Sequence, residues 1–205
     1  MHSHLQELLR RFPVLAGCGD QIERAFELLR ACYLRGGKVL LAGNGGSAAD
    51  AEHWSGELLK GFAMKRPLGD ADRSRLPAEL AEGLQQALPA IPLTSFVALN
   101  TAFANDVNAA LAFAQLVWGL GAAGDVLVGI STSGNAANVL YAADAAHAKG
   151  LTVLGLTGSG GGKLAGKADV CIRVSETATY RIQELHLPIY HCLCLMLENE
   201  FFGSK

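Results

Sequence analysis

The sequence predicts an α/β fold in which helices cover a parallel sheet. Three observations predict it: short apolar runs alternate with helical stretches, glycine- and hydroxyl-rich turns follow those runs, and half of the 205 residues are hydrophobic. Strands separated by helices pair in parallel through right-handed crossovers. The length suits one well-buried domain and is short for two.

Leu5 to Arg11 and Gln21 to Leu34 carry apolar residues three and four apart. They predict two helices within residues 1–35, packed on the sheet or on a partner subunit. Lys38 to Ala42 is a buried strand that runs into Gly43-Asn44-Gly45-Gly46-Ser47, and Ser47 with Asp50 reads as a capping box opening a helix. In the polar stretch from Arg66 to Pro89, the recurrence of Leu76, Leu80, Leu84 and Leu88 behind Pro77 predicts a short amphipathic helix. Ile91 to Ser95 reads as a strand, and Thr101 to Phe113 as a helix with Asn105 and Asp106 near a bend. Asp125 to Ile130, the turn Ser131 to Asn135 and the alanine-rich helix Ala137 to Lys149 repeat the strand, polar turn, helix unit. Leu151 to Thr157 and Ala168 to Val174 are further strands, and a long helix closes the chain.

A net charge of -2 supplies no basic surface for nucleic acid. Five cysteines, with no C-x-x-C spacing, read as reduced core thiols rather than a metal or redox motif. The first thirty residues do not resemble a secretory signal, and Leu187 to Leu197 is too short for the ~20 residues of a membrane helix. These features predict a cytoplasmic protein that binds neither membrane nor nucleic acid.

Glycines 43, 45 and 46 at the start of a helix form an anion cradle, because free N–H groups and the positive end of the helix dipole face whatever sits there. Sheets of this kind bind ligands beyond the carboxyl ends of their strands, where the turns at Gly45 and Ser133 should converge. Gly43, Gly45 and Ala48 also satisfy a dinucleotide fingerprint, but position 63 is Ala63 where an acidic residue is wanted. No G-K-[ST] closes a Walker A loop, so no nucleotide cofactor is expected. His53 and Glu57, four apart, share a helix face. Gln183, Glu184, His186 and His191 interrupt an apolar helix together with Pro188, and either a functional cluster or satisfied core histidines would account for them.

Three runs closely resemble phosphoheptose isomerases, which are sugar-isomerase (SIS) domain proteins. They are Gly43 to Ala51 with His53 and Glu57, Gly129 to Asn135, and Arg181 to Glu184 with His186 and His191. The similarity extends from about Lys38 to Phe201. Resemblance implies a three-layer αβα sandwich around a five-stranded parallel sheet, a homotetramer, and active sites shared between subunits. It implies interconversion of sedoheptulose 7-phosphate and D-glycero-D-manno-heptose 7-phosphate, with Glu57 as base and His191 as acid. It also implies phosphate contacts from Ser131, Thr132 and Ser133, and contacts along the sugar from Asn44, Gly45, Gly46, Ser47, Asn105, Asp106 and Gln183. In some members His53, Glu57, Gln183 and His191 match a zinc site, although a glutamate held by zinc is a poorer base. Ala136, Tyr180 and a longer 66–89 segment depart from the family pattern. The alternatives are an isomerase of another sugar phosphate, a non-catalytic SIS protein that binds the replication initiator, and a sugar-phosphate sensor.

Overall fold

The computed structural model describes residues 2–203. Its strands are β1 (Val39–Gly43), β2 (Ala90–Pro92), β3 (Val126–Ile130), β4 (Thr152–Thr157) and β5 (Val170–Arg173). They form one five-stranded sheet in the order β2-β1-β3-β4-β5, every neighbouring pair parallel. The expected parallel α/β architecture is therefore present. The helices are α1 (Ser3–Arg11), α2 (Gly19–Leu34), α3 (Gly46–Leu59), α4 (Asp70–Arg73), α5 (Ala78–Gly83), α6 (Val97–Phe103), α7 (Ala112–Leu120), α8 (Ala137–Ala148), α9 (Gly162–Ala165) and α10 (Thr179–Phe202).

Strand side chains alternate between two cores, as the period of two requires. Val39, Leu41, Val128 and Leu154 pack with α1, α2, α3 and α10 on one face. Leu40, Ala42, Leu127 and Val153 pack with α7, α8 and Leu164 of α9 on the other. Helices on both faces explain why β1 and β3 are uninterrupted apolar runs, buried at every position. Each buried leucine or valine contributes roughly 1.5–3 kcal/mol through loss of water contact. Chain order reverses between β1 and β3, and a crevice opens at their carboxyl ends, where ligands of such sheets bind.

Three local expectations need correction. The capping box does not form: Gly45, at φ +57°, is the residue before α3, and no side chain caps the helix start. Asp50 instead accepts a hydrogen bond from Tyr190 at 3.2 Å, so tertiary packing claims its carboxylate. The leucine run after Pro77 is not a buried stripe. Of the four leucines only Leu80 lies in a helix, the short α5 behind Pro77, and Leu80 and Leu84 remain 46% and 48% exposed while Leu88 is buried. Thr101 to Phe113 is broken by a π-helical turn at Ala104–Asn108 and a 3-10 turn at Ala109–Leu111. Pro188 lies inside α10, as the position of the apolar helix implied. Among the described residues no helix is long and apolar enough to cross a membrane.

Candidate active site

The crevice between β1 and β3 holds a cleft of about 400 Å³, lined by residues 44–47, 131–133 and Gln183 among others. The positive φ of Gly45 lets the chain leave β1 and enter α3 within a few residues, a backbone state that side chains disfavour. Gly46 permits the close approach of α10: a Cβ there would lie 2.6 Å from the Gln183 amide nitrogen. Across the cleft, the Asn135 N–H donates to the Ser133 hydroxyl at 3.2 Å and the Gly134 N–H to the Ser131 carbonyl at 2.9 Å, which tightens the second turn. Asn44 and Asn138 exchange two hydrogen bonds of 2.9 Å and tie the β1 turn to α8. A helix start facing a hydroxyl-rich turn suits an anion.

The other end of α3 is built from side chains. His53 Nε2 lies 3.3 Å from Glu57 Oε1, and the His53 ring is 5.0 Å from that of His191 in an edge-on contact. Glu57 also accepts from Lys60 at 3.0 Å. The Tyr190 hydroxyl donates to Asp50 and lies 2.9 Å from His53 Nδ1; having one proton, it accepts from the imidazole when it donates to the carboxylate. Burial, and then the charge of Asp50, push the Tyr190 pKa up, so the hydroxyl keeps its proton. Burial also raises Asp50. Burial and the neighbouring His53 hold His191 below the usual imidazole value, against the pull of Glu57. His191 Nε2 is shielded from solvent and has no hydrogen-bond partner among the described residues.

Glu57 and His191 thus meet around His53, but not at the anion cradle. Gly46 and Glu57 stand eleven residues apart on α3, about 16 Å along its axis, and Gln183 and His191 stand eight apart on α10, about 12 Å. Gln183 belongs to the cradle end. Asn105 and Asp106 are exposed, bonded to each other at 2.8 Å, and do not line the cradle cleft. His186 is a core residue, fully buried with Nε2 3.4 Å from the Thr157 carbonyl, while Glu184 is exposed. The four residues expected to hold zinc therefore do not converge in one chain. Among the described residues no group of three His, Cys, Asp or Glu side chains is arranged to hold a metal ion.

The sequence matches the SIS domain family over residues 5–76 and 77–158. It is 42% identical over 189 residues to the phosphoheptose isomerase of Coxiella burnetii, covering 91% of this chain and 85% of that one. The chain belongs to the phosphoheptose isomerase family. The corresponding protein of Chromohalobacter salexigens is 41% identical over 186 residues, 89% of this chain and 85% of its own. Among solved structures, phosphoheptose isomerase GmhA from Neisseria gonorrhoeae aligns with a TM-score of 0.76 at 36% identity, over 96% of both chains. A phosphoheptose isomerase from Francisella tularensis aligns at 0.78 and 32%, over 96% of this chain and 95% of that one. With these relatives, the protein is an enzyme that isomerises a sugar phosphate.

Sequence reasoning missed several residues that pack around these two ends. Tyr190 lies seven positions after Gln183, a helical repeat that puts both on the α3-facing side of α10, and that spacing was a usable signal. Asp50 was assigned to a cap. Asn138 carried no signal, since an asparagine in the first turn of a helix is ordinary. Glu198, a fully buried acid at the end of an apolar run, was a second usable signal.

Proposed function

We propose that this enzyme interconverts sedoheptulose 7-phosphate and D-glycero-D-manno-heptose 7-phosphate, with Glu57 as base and His191 as acid. The observation that carries the reading is the meeting of Glu57 and His191 around His53, with the shielded His191 Nε2 unpartnered among the described residues. The names of the relatives support the substrate. The glycine and serine turns support a phosphate at the opposite end.

The ketose begins with a carbonyl at C2. The Glu57 carboxylate takes a proton from C1 while the neutral His191 imidazole gives its ring proton to O2, forming a 1,2-enediol. Protonated Glu57 then returns its proton to C2, and the O1 hydroxyl proton goes back to His191, leaving an aldehyde at C1. Protons and electrons balance with no redox cofactor. A depressed His191 pKa suits this role, because the ring stays neutral at working pH and its N–H, made more acidic than in an unperturbed imidazole, polarises O2 and passes the proton between the two oxygens.

The spacing supports an assembly. Seven bonds separate C2 from phosphorus, which reach roughly 8–9 Å when extended, whereas one chain's cradle and base are about 16 Å apart along α3. We therefore infer that a substrate anchored in the cradle of one subunit reacts at Glu57 and His191 of another, within a homotetramer of single SIS domains. A zinc site made of His53, Glu57, Gln183 and His191 would likewise need Gln183 from a second copy. Chelation of the assembled enzyme followed by zinc addition tests the metal, and turnover lost and regained would assign it.

The decisive experiment follows sedoheptulose 7-phosphate by NMR with two separately inactive variants, Glu57→Gln and the double Ser131→Ala/Ser133→Ala. Co-expressed, they should regain activity, because mixed assemblies contain sites with one intact cradle and one intact base. Mixtures as inactive as their parents would sink the shared site, and turnover by Glu57→Gln alone would remove Glu57 as base.

A further inference from the structure

Arg66 and Glu198 are an ion pair whose side chains are both 0% exposed, and the reaction just described does not use them. Glu198 Oε1 accepts from Arg66 Nε at 2.7 Å and from the Phe62 N–H at 2.7 Å. Its Oε2 accepts from the N–H groups of Ala63 at 2.8 Å and Met64 at 3.1 Å. One carboxylate thus holds the loop that leaves α3. The guanidinium reaches back to the last turn of that helix, donating to the Leu58 carbonyl at 2.9 Å and to the Glu57 carbonyl at 3.3 Å. Carbonyls at a helix end have no partner within the helix, and a cation there also opposes the dipole favourably.

Both arms end on the acid–base couple. Arg66 bonds the main chain of Glu57 itself, and Phe62, whose N–H is held by Glu198, lays its ring 5.2 Å from that of His191. Arg66 is further packed over the Phe202 ring at 4.8 Å, so it has no freedom to swing. A purely stabilising ion pair has no need of this placement, since an apolar pair of similar volume serves a core as well or better. We propose that Arg66 and Glu198 form a positioning latch that fixes Glu57 at the end of α3 and, through Phe62, sets the ring of His191. Neither touches substrate.

This inference rests on Glu57 and His191 being the acid–base couple, and the test separates the two claims. Turnover of sedoheptulose 7-phosphate is measured per folded molecule for Arg66→Lys, Glu198→Gln, Phe62→Leu, the apolar double Arg66→Met/Glu198→Leu, and Glu57→Gln. Arg66→Lys keeps the charge but lacks the second arm to the carbonyls, and should lower kcat about 10–100-fold with KM within about twofold, as an ångström-scale misplacement does. Phe62→Leu should lower kcat less, again at constant KM. The apolar double should regain the thermal stability lost in Glu198→Gln while kcat stays low, which a merely structural pair would not do. Folded Arg66→Lys and double variants with wild-type kcat would overturn the latch. If the single Glu198 variant does not fold, the double decides; if neither folds, Arg66→Lys and Phe62→Leu decide on kcat alone. Should Glu57→Gln retain turnover, the couple itself fails; should it be dead while the latch variants run normally, only the latch does.

Discussion

The two ends of the α3–α10 pair are made of different material. At the cradle end, main chain does the work: Gly45 turns the backbone, and Gly46 leaves room for Gln183 to reach over from α10. At the other end the site is rings and carboxylates, with Tyr190 stacked on Trp54 at 5.5 Å and edge-on to both His53 and His191. Phosphate needs N–H groups at a fixed curvature, which glycine spacing encodes locally. Proton transfer needs groups partly stripped of water and oriented by neighbours, which here come from positions 137 and 140 residues away in sequence.

Substitutions at each end should break different steps. The largest effect is expected for Glu57→Gln, which should lower kcat about 10²–10⁴-fold with thermal stability retained, measured by NMR turnover and a melting scan. Next is His186, on α10 between the two ends, whose pKa burial holds down to about 4. Its folded value lies below the unfolded 6.5, so protonation favours unfolding; its contribution is full above pH 6.5 and is lost as pH falls toward 4. The loss amounts to roughly 3 kcal/mol, and His186→Leu should flatten the fall in melting temperature across that window. Tyr190→Phe keeps the stacking but leaves Asp50 and His53 Nδ1 without their shared partner, and should cost about 1–3 kcal/mol in denaturant unfolding. Gly46→Ala should displace the Gln183 amide, raising KM several-fold while kcat holds, because the far end of a flexible side chain gives way cheaply. Leu80→Ser, at an exposed position remote from both ends, should change stability by less than about 0.5 kcal/mol. Loss of kcat rather than a rise in KM on Gly46→Ala would mean that the two ends are not separable.

Legibility in the sequence follows the same division. The strands and principal helices lie near their expected positions because apolar runs and helical repeats report burial directly. The cradle was readable because glycine at 43 and 45 answers a local backbone demand, whereas the need for Gly46 comes from Gln183 on α10. The errors fell where local and tertiary demands competed. Asp50 fits a cap but bonds Tyr190, and the leucines of 76–88 fit a helical stripe that the chain does not bury, since Arg66 and Gln86 pin the segment by main-chain bonds instead. Asn105 and Asp106, carried over from motif similarity, lie outside the cradle cleft within one chain.

Residue order alone dictated a parallel α/β chain with a glycine cradle after its first strand and a carboxylate and imidazoles on two helices, because these depend on spacing within a few residues. Packing in three dimensions settled that Glu57, His53 and His191 cluster beside Tyr190, that Gln183 stays behind with the cradle, and that Arg66 finds Glu198. Helix length is the cause: residues eight or eleven apart on one rod cannot meet, so the docking of α3 against α10 sets which groups come together.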